Sequence, residues 1–280
     1  VIGPSPGAAG KVLTLVVTHN SPGTLRETVA GILAQSTSPG GVLVVDNASE
    51  PTAAASLADV LAEHEGYLRV VRSEDNTGPA GGWAMALEQF LESDSEFAWL
   101  LDDDIVAPPP CLEALLGDCA VQGSAFVAPS VRHPGGQVTT YPGWTGVLIG
   151  REAVVAAGLP RRDFFWWTED AEYLMWRIPA AGWPLRFCER VVVEHRKGRG
   201  GLGTPPWKYY YEVRNSLYFH LYLRRGRGRW PRKMVLIAGR LVLRERQDRV
   251  VCAQLALRGA VDGVLGWMGK RVRPEDFPRA

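Results

Sequence analysis

The chain has no run of about 18 apolar residues, so nothing in it is long enough to cross a bilayer as a helix. Its four cysteines, Cys111, Cys119, Cys188 and Cys252, show no CxxC spacing. That argues against a zinc site or a disulfide framework and favours a reducing cytoplasm. Internal repeats are missing, and the only biased tract is the Gly/Pro/Ala-rich start. Residues 1–10 lack a basic region followed by an apolar core, so they read as a loose arm rather than a signal peptide. An overall excess of one charge is missing too, with a net charge of +1. Locally the balance differs: the stretch from Arg224 to Arg249 carries +8, leaving −7 for the remainder. A basic end on a mildly acidic body points to contact with phosphates or an anionic membrane surface.

What is present is ordinary globular composition, 46% apolar and 22% charged over 280 residues, enough to bury a sizeable core. Lys11 to Thr18, Gly41 to Asp46, Tyr67 to Arg72 and Phe97 to Leu101 read as short buried strands. Helical spacing separates them over Ser21 to Gln35, Ala53 to Glu65 and Gly81 to Leu91. This alternation predicts an α/β fold, a mostly parallel sheet with helices on both faces. Sites in such sheets lie at the carboxyl ends of strands. By that rule Thr18-His19-Asn20, Asp46-Asn47 and Asp102-Asp103-Asp104 converge on one edge. From about Gly123 the pattern breaks into Gly/Pro-punctuated strands and a Trp-rich loop. Helices are then expected over 212–223, 233–246 and 250–265, the second with an apolar stripe at Met234, Ile237, Ala238 and Leu241 beside basic residues.

Three acids emerging from a buried strand suit a divalent cation that neutralises a leaving diphosphate. Asp102 and Asp104, two apart, are expected to share a face, with Asp103 turned toward ribose or sugar hydroxyls. Asp46 stands where a carboxylate can accept the N3–H of a uracil or thymine ring. The glycines after Asn76 would let backbone approach a phosphate or ribose. Farther on, Glu169 and Asp170 follow Trp166 and Trp167, so a candidate base for an acceptor hydroxyl sits beside aromatic faces suited to sugar rings. Trp144 is expected to extend that wall. His195 ends a β run and suits a metal shell with Asp104. The basic loop 196–201 suits closure over a diphosphate.

Together VVTHN (16–20), VVDNAS (44–49), NTGPAGGW (76–83), WLLDDD (99–104), TGVLIGREA (145–153), WWTEDAEY (166–173), EH (194–195) and YYYEVRNSLYF (209–219) resemble the family-2 glycosyltransferases with a GT-A fold. The likeness is strongest to the actinobacterial galactofuranosyltransferase and rhamnosyltransferase branch. It implies an inverting enzyme using a UDP- or dTDP-sugar with Mn2+ or Mg2+. The sugar would be galactofuranose, rhamnose or another deoxysugar, and the acceptor a glycan, a lipid-linked glycan or a small molecule of cell-wall or secondary metabolism. By the resemblance, nucleotide contacts fall to Thr18, His19, Asn20, Asp46, Asn76, Asp102 and Asp103, and the metal to Asp102, Asp104 and His195. Asp170 is the base, with Glu169, Trp144, Trp166 and Trp167 at the acceptor, and Arg214 and Asn215 support the site. Glu169 departs from the Asp that branch often has. The long N-terminal domain of polymerising galactofuranosyltransferases has no counterpart in the chain, so single addition is expected.

The expected layout is an arm (1–10), a catalytic domain (11–222, its nucleotide half about 11–122 and its acceptor half about 123–222) and a basic helical extension (223–280). The expected location is the cytoplasm, at the inner face of the cell membrane if 224–249 binds it; pairing into a homodimer is the alternative use of those helices. No nucleic-acid partner is expected. Two rival readings are a sugar-phosphate nucleotidylyltransferase and a non-catalytic carbohydrate- or membrane-binding protein on the same fold. The first calls for a basic Gly-rich loop after the first strand, where this chain has THNSPG with Arg26 the nearest cation.

Overall fold

Three runs rich in β-branched residues and one of Phe, Trp and Leu build the first half of the sheet: β1 (Val12–Thr18), β2 (Gly41–Asp46), β3 (Leu68–Arg72) and β4 (Phe97–Asp102). They pair in parallel in the order β3-β2-β1-β4, joined by α1 (Pro22–Leu33), α2 (Pro51–Ala62) and α3 (Gly78–Glu92). The computed structural model describes residues 11–62, 64, 66–122, 124–196, 205–225, 230–243 and 248–277. The N-terminal arm, the basic loop beyond Arg196, and Arg227, Arg229, Arg244 and Arg246 lie outside these residues.

Alternation along each strand sends side chains to opposite faces. Val16, Val44, Trp99 and Leu101 pack with Leu25, Val29 and Ile32 of α1 and Leu57 of α2. Leu15, Val17, Leu43, Val45 and Leu100 pack with Trp83, Leu87 and Phe90 of α3. With both faces covered, the strands read as near-continuous apolar runs, as parallel strands do. Register aligns Thr18 with Asp46, Asp46 with Arg72, and Val17 with Asp102, so the carboxyl ends of all four strands form one row.

The second half is mixed. It comprises β5 (Ile105–Val106), α4 (Cys111–Gln122), β6 (Phe126–Arg132), β7 (Val138–Thr139), β8 (Thr145–Gly150), α5 (Arg151–Ala157), α6 (Glu169–Glu172), a π turn (Tyr173–Arg177), α7 (Ile178–Ala180) and β9 (Arg186–His195). The sheet continues β4-β8-β6-β9-β5, with β8 antiparallel to β4 and β6. β6 runs parallel to β9, and β5 antiparallel to it.

Three helices follow: α8 (Pro206–Tyr218), continued by a π turn (Phe219–Leu223), α9 (Trp230–Leu243) and α10 (Arg249–Leu265). Helix α8 begins six residues before the sequence pattern predicts. Trp207, Tyr209, Tyr210, Tyr211 and Glu212 are all buried, so its first half has little polar face to produce a periodicity. Helix α10 lies tight against α8. A Cβ at Gly259 would stand 2.3 Å from the Tyr210 carbonyl oxygen, and one at Gly263 would stand 2.6 Å from that of Arg214. Among the described residues, no helix is long and apolar enough to cross a membrane.

Candidate active site

The row of strand ends holds a connected polar wall. Asp46 is buried, accepts the Ser49 N–H at 2.9 Å and forms an ion pair with Arg72. Two lone-pair positions of the carboxylate are thereby used and its orientation is fixed. The Arg72 guanidinium also donates to the Ser49 carbonyl at 2.7 Å. His19 Nδ1 lies 2.9 Å from the Asn47 carbonyl, which can only accept, so Nδ1 carries the proton and Nε2 is the acceptor. The side-chain amides of Asn20 and Asn76 each reach Nε2 at 3.2 Å. Thr18, His19, Asn20, Asp46 and Asn76 are therefore brought together as the sequence led one to expect.

The Gly-rich turn serves a different purpose from the one expected. Gly78, at φ +67°, has room for no side chain, because a Cβ would fall 2.0 Å from the Phe165 carbonyl oxygen. A Cβ at Gly81 would meet Thr77, and one at Gly82 would meet Val17. These glycines let protein pack on protein rather than on a phosphate. Asn47 fastens the turn, donating to the Gly78 carbonyl at 2.9 Å and accepting from the Thr77 N–H at 3.0 Å.

At the acidic cluster the strand ends with Asp102, and Asp103 and Asp104 form a turn before β5. Simple strand alternation therefore does not place Asp102 and Asp104 together; the turn sets each separately. Asp103 accepts from the Thr18 hydroxyl at 2.7 Å. Pairing of Ile105 with His195 brings the end of β9 alongside, so Asp104 Oδ2 lies 3.3 Å from His195 Nε2. His195 Nδ1 is 3.4 Å from His133 Nδ1, and His133 Nε2 is 2.8 Å from the Thr139 hydroxyl.

Burial pushes the Asp102 carboxyl well above the ordinary carboxylate range, and Asp104, Asp103, Glu169 and Asp170 push it further. Every charge acting on it is negative, a field that a bound cation would relieve. Carboxylates with an imidazole suit Mn2+ or Mg2+. The chemistry of the donor set thus fits a divalent ion. Among the described residues, no three such side chains converge on one point.

The second carboxylate site is held by backbone strain. Phe165, Trp167 and Thr168 all adopt positive φ, at 61°, 69° and 76°. Such residues cost about 1–3 kcal/mol each and persist only where surroundings impose them. Helix α8 imposes them here: the Asn215 amide nitrogen lies 2.9, 2.6 and 2.7 Å from the carbonyl oxygens of Phe164, Trp166 and Trp167, its two N–H donors shared among the three. The fully buried Arg214 adds bonds to the carbonyls of Phe164 (2.8 Å) and Gly269.

Glu169 and Asp170 then open α6. Glu169 is buried, and its Oε2 has no hydrogen-bond partner of normal geometry, although the Trp144 indole favours its charge. Burial first, and the Asp170 charge second, push its carboxyl up to about 8. Asp170 is more open, with Oδ1 accepting the Ala171 N–H at 2.7 Å and Oδ2 facing Gly143. Trp166 and Trp167 are half-buried beside the pair in sequence. Trp144 is buried and stacks on Trp83 at 4.6 Å, so its indole edge, not an open face, is what it can offer.

A family profile, Glycosyl transferase family 2, matches residues 14–195, from within β1 to the end of β9. The chain belongs to this family. Galactofuranosyltransferase GlfT1 of Mycobacterium tuberculosis is 31% identical over 121 residues, which is 43% of this chain and 39% of that protein. Succinoglycan biosynthesis protein ExoW of Rhizobium meliloti is 34% identical over 105 residues, 36% of this chain and 32% of ExoW. The chain thus spans about two-fifths or less of the length of these curated relatives. Mannosyltransferase PcManGT from Pyrobaculum calidifontis, solved with GDP-Man and Mn2+, superposes with a TM-score of 0.60 at 15% identity, over 95% of this chain and 90% of its own. That likeness shows the fold, which is GT-A.

Several groups near the site escape the motif reading of the sequence. Arg72 stands at a strand end like Asp46, and the same carboxyl-edge rule would have found it. His133 follows β6 and could have been found only from the β6–β9 pairing. Lys270 and Glu275, far along the chain, reach the Asn76 side of the cleft with no motif to mark them.

Proposed function

We propose that the chain is an inverting, divalent-cation-dependent glycosyltransferase that moves a sugar from a UDP- or dTDP-linked donor to an acceptor hydroxyl. The observation that carries this is the meeting of two carboxylate groups across one cleft: Glu169 and Asp170 lie close enough to the cluster at the end of β4 to raise Asp102. An inverting displacement needs this arrangement, with a base on one side of the sugar and the leaving diphosphate on the other. Donor contacts fall to Thr18, His19, Asn20, Asp46, Asn76, Asp102 and Asp103. Asp102, Asp104 and His195 would hold Mn2+ or Mg2+, which when bound supplies positive charge to the departing diphosphate. The GDP-Man and Mn2+ held by PcManGT support a nucleotide-sugar donor and a divalent cation.

Asp170 takes the proton of the acceptor hydroxyl. Of the pair, Glu169 yields its charge, because it is the more deeply buried, and its protonated carboxyl is then free to donate to an acceptor oxygen. Likeness to GlfT1 supports galactofuranose as the sugar, with rhamnose or another deoxysugar as the alternatives. An open groove of about 610 Å3, lined in part by Tyr141, Pro142, Met175 and Phe187, supports a place for the acceptor next in sequence to Gly143, whose Cα side faces Asp170 Oδ2. The exposed apolar residues of α9 and α10, among basic ones, support contact with the inner face of a membrane carrying a lipid-linked acceptor.

Asp170→Asn tests the assignment. Release of UDP or dTDP in the presence of acceptor should fall by about 10²- to 10⁴-fold, the usual contribution of a general base. Nucleotide-sugar binding by calorimetry should be largely preserved. Full turnover in the variant removes Asp170 as base, and pyrophosphate as product would favour a nucleotidylyltransferase instead.

A further inference from the structure

Beyond α10 the chain turns back at Gly266, in the left-handed region at φ 72°, and runs as a strap over the seam between α8 and the loop before α6. Its backbone is anchored on both sides of Lys270. The Gly269 N–H donates to the Asp163 carbonyl at 2.8 Å, and its carbonyl accepts from Arg214. The Arg271 guanidinium meets Asp262 at 3.0 Å, and the Tyr211 hydroxyl donates to the Val272 carbonyl at 2.6 Å. Lys270 points to the other side. Its Nζ lies 3.2 Å from the Asn76 carbonyl, 3.2 Å from Glu275 Oε1 and 5.4 Å from the centre of the Phe165 ring. Asn76 is the residue whose amide meets His19 Nε2, and Glu275 is within electrostatic reach of His19.

We propose that this strap is a wall of the donor site and that Lys270 is the cation through which it binds the anionic diphosphate of the nucleotide sugar. The proposal rests on the nucleotide-sugar reading above. The charges explain the need. With Asp46 paired to Arg72 and Glu169 protonated, the cleft still carries Asp103, Asp104 and Asp170, and one divalent cation does not balance these three acids together with a diphosphate. Arg72 is committed to Asp46 and the Ser49 carbonyl, and Arg196 is paired with Glu27 at 3.0 Å. An ammonium has three donors. Asn76 and Glu275 occupy two, and the Lys270 side chain remains partly open to solvent, so the third is available on the cleft rim. A donor arriving there would exchange a partly exposed pairing with Glu275 for charge-assisted bonds to phosphate oxygens, which are stronger. The C-terminal segment then helps to bind donor, and the anchors on Asp163, Arg214 and Tyr211 tie that role to the loop that positions Asp170.

Calorimetric titration of the full chain with UDP and with dTDP, in MnCl2, provides the test. Wild type should bind one of the two; binding of neither would remove the donor reading and this inference with it. Lys270→Met should weaken binding of that nucleotide about five- to thirtyfold, as loss of one charge-assisted contact does. Lys270→Arg should retain most of the affinity, and the melting temperature of both should stay near wild type. If K270M binds as tightly as wild type, or K270R loses as much as K270M, Lys270 merely fastens the strap to the Asn76 loop and the proposal is overturned.

Discussion

Glu169 is the residue whose environment departs furthest from what its position suggests. An acid at a helix start ordinarily gains from the helix dipole. Here burial dominates, and the carboxyl rises from its ordinary 4.5 to about 8. Between those values the folded chain holds a proton that the unfolded chain has released. Glu169 therefore leaves stability intact below about pH 4.5 and costs progressively more as pH rises to about 8. Glutamine has the shape of the protonated acid and does not titrate. Glu169→Gln should match wild type at low pH in thermal melts without metal or nucleotide. Its advantage should grow through that window to on the order of 5 kcal/mol and then level off. A constant difference between the two proteins across pH would mean that Glu169 keeps its charge in the fold. Asp102 is raised by burial first and by acidic neighbours that include Glu169, so the variant also relieves part of the Asp102 shift, a change of the same sign.

At the scale of elements, α8 and the loop before α6 act as one unit. Strained residues at Phe165, Trp167 and Thr168 aim Glu169 and Asp170, and Asn215 holds three of the carbonyls that this backbone exposes. Asn215→Ala should lower stability by about 2–3 kcal/mol, since buried carbonyls lose their donor. It should also lower kcat by at least about tenfold, because small misplacement of a base is expensive, while nucleotide affinity changes little. Equal falls in kcat and nucleotide affinity would point to general loosening rather than to positioning. The elements of the first half were legible in the sequence, since buried parallel strands show as β-branched runs and the helices between them carry an apolar period. The clamp was not. Non-glycine residues at positive φ leave no mark in composition, and a helix buried on nearly every side, as α8 is over Trp207 to Glu212 with only Lys208 partly open, has little polar face to betray it. Glycines were visible at 78, 81 and 82, but the neighbour that requires the first, Phe165, lies far along the chain.

For the whole molecule, topology decides what converges. The carboxyl edge of β1, β2 and β4 could be read from order alone, and it gathered Thr18, Asp46 and Asp102. The closeness of Asp104 to His195 depends on a two-residue strand, Ile105–Val106, pairing with β9, a signal too short for any periodicity. The C-terminal helices divide in a way that net charge did not reveal. One face of α10 is locked on α8 through Gly259 and Gly263. Its remaining surface, with α9, leaves Val235, Leu236, Leu257 and Leu265 exposed at 71%, 63%, 68% and 52%. Arg249 and Arg258 lie on the same helix as Leu257, and Arg240, Arg244 and Arg246 fall in the most basic stretch of the sequence. Apolar side chains among cations match an anionic bilayer surface, where each basic residue contributes about 1 kcal/mol. The protein should therefore co-sediment with phosphatidylserine-rich vesicles at low salt and less well with zwitterionic ones. Reversing Arg240, Arg244 and Arg246 to Glu should release it by at least about a hundredfold in partition. Unchanged sedimentation after that reversal would remove the membrane contact; if size-exclusion with light scattering then gave twice the chain mass, the apolar face of α9 and α10 would be the surface between two copies.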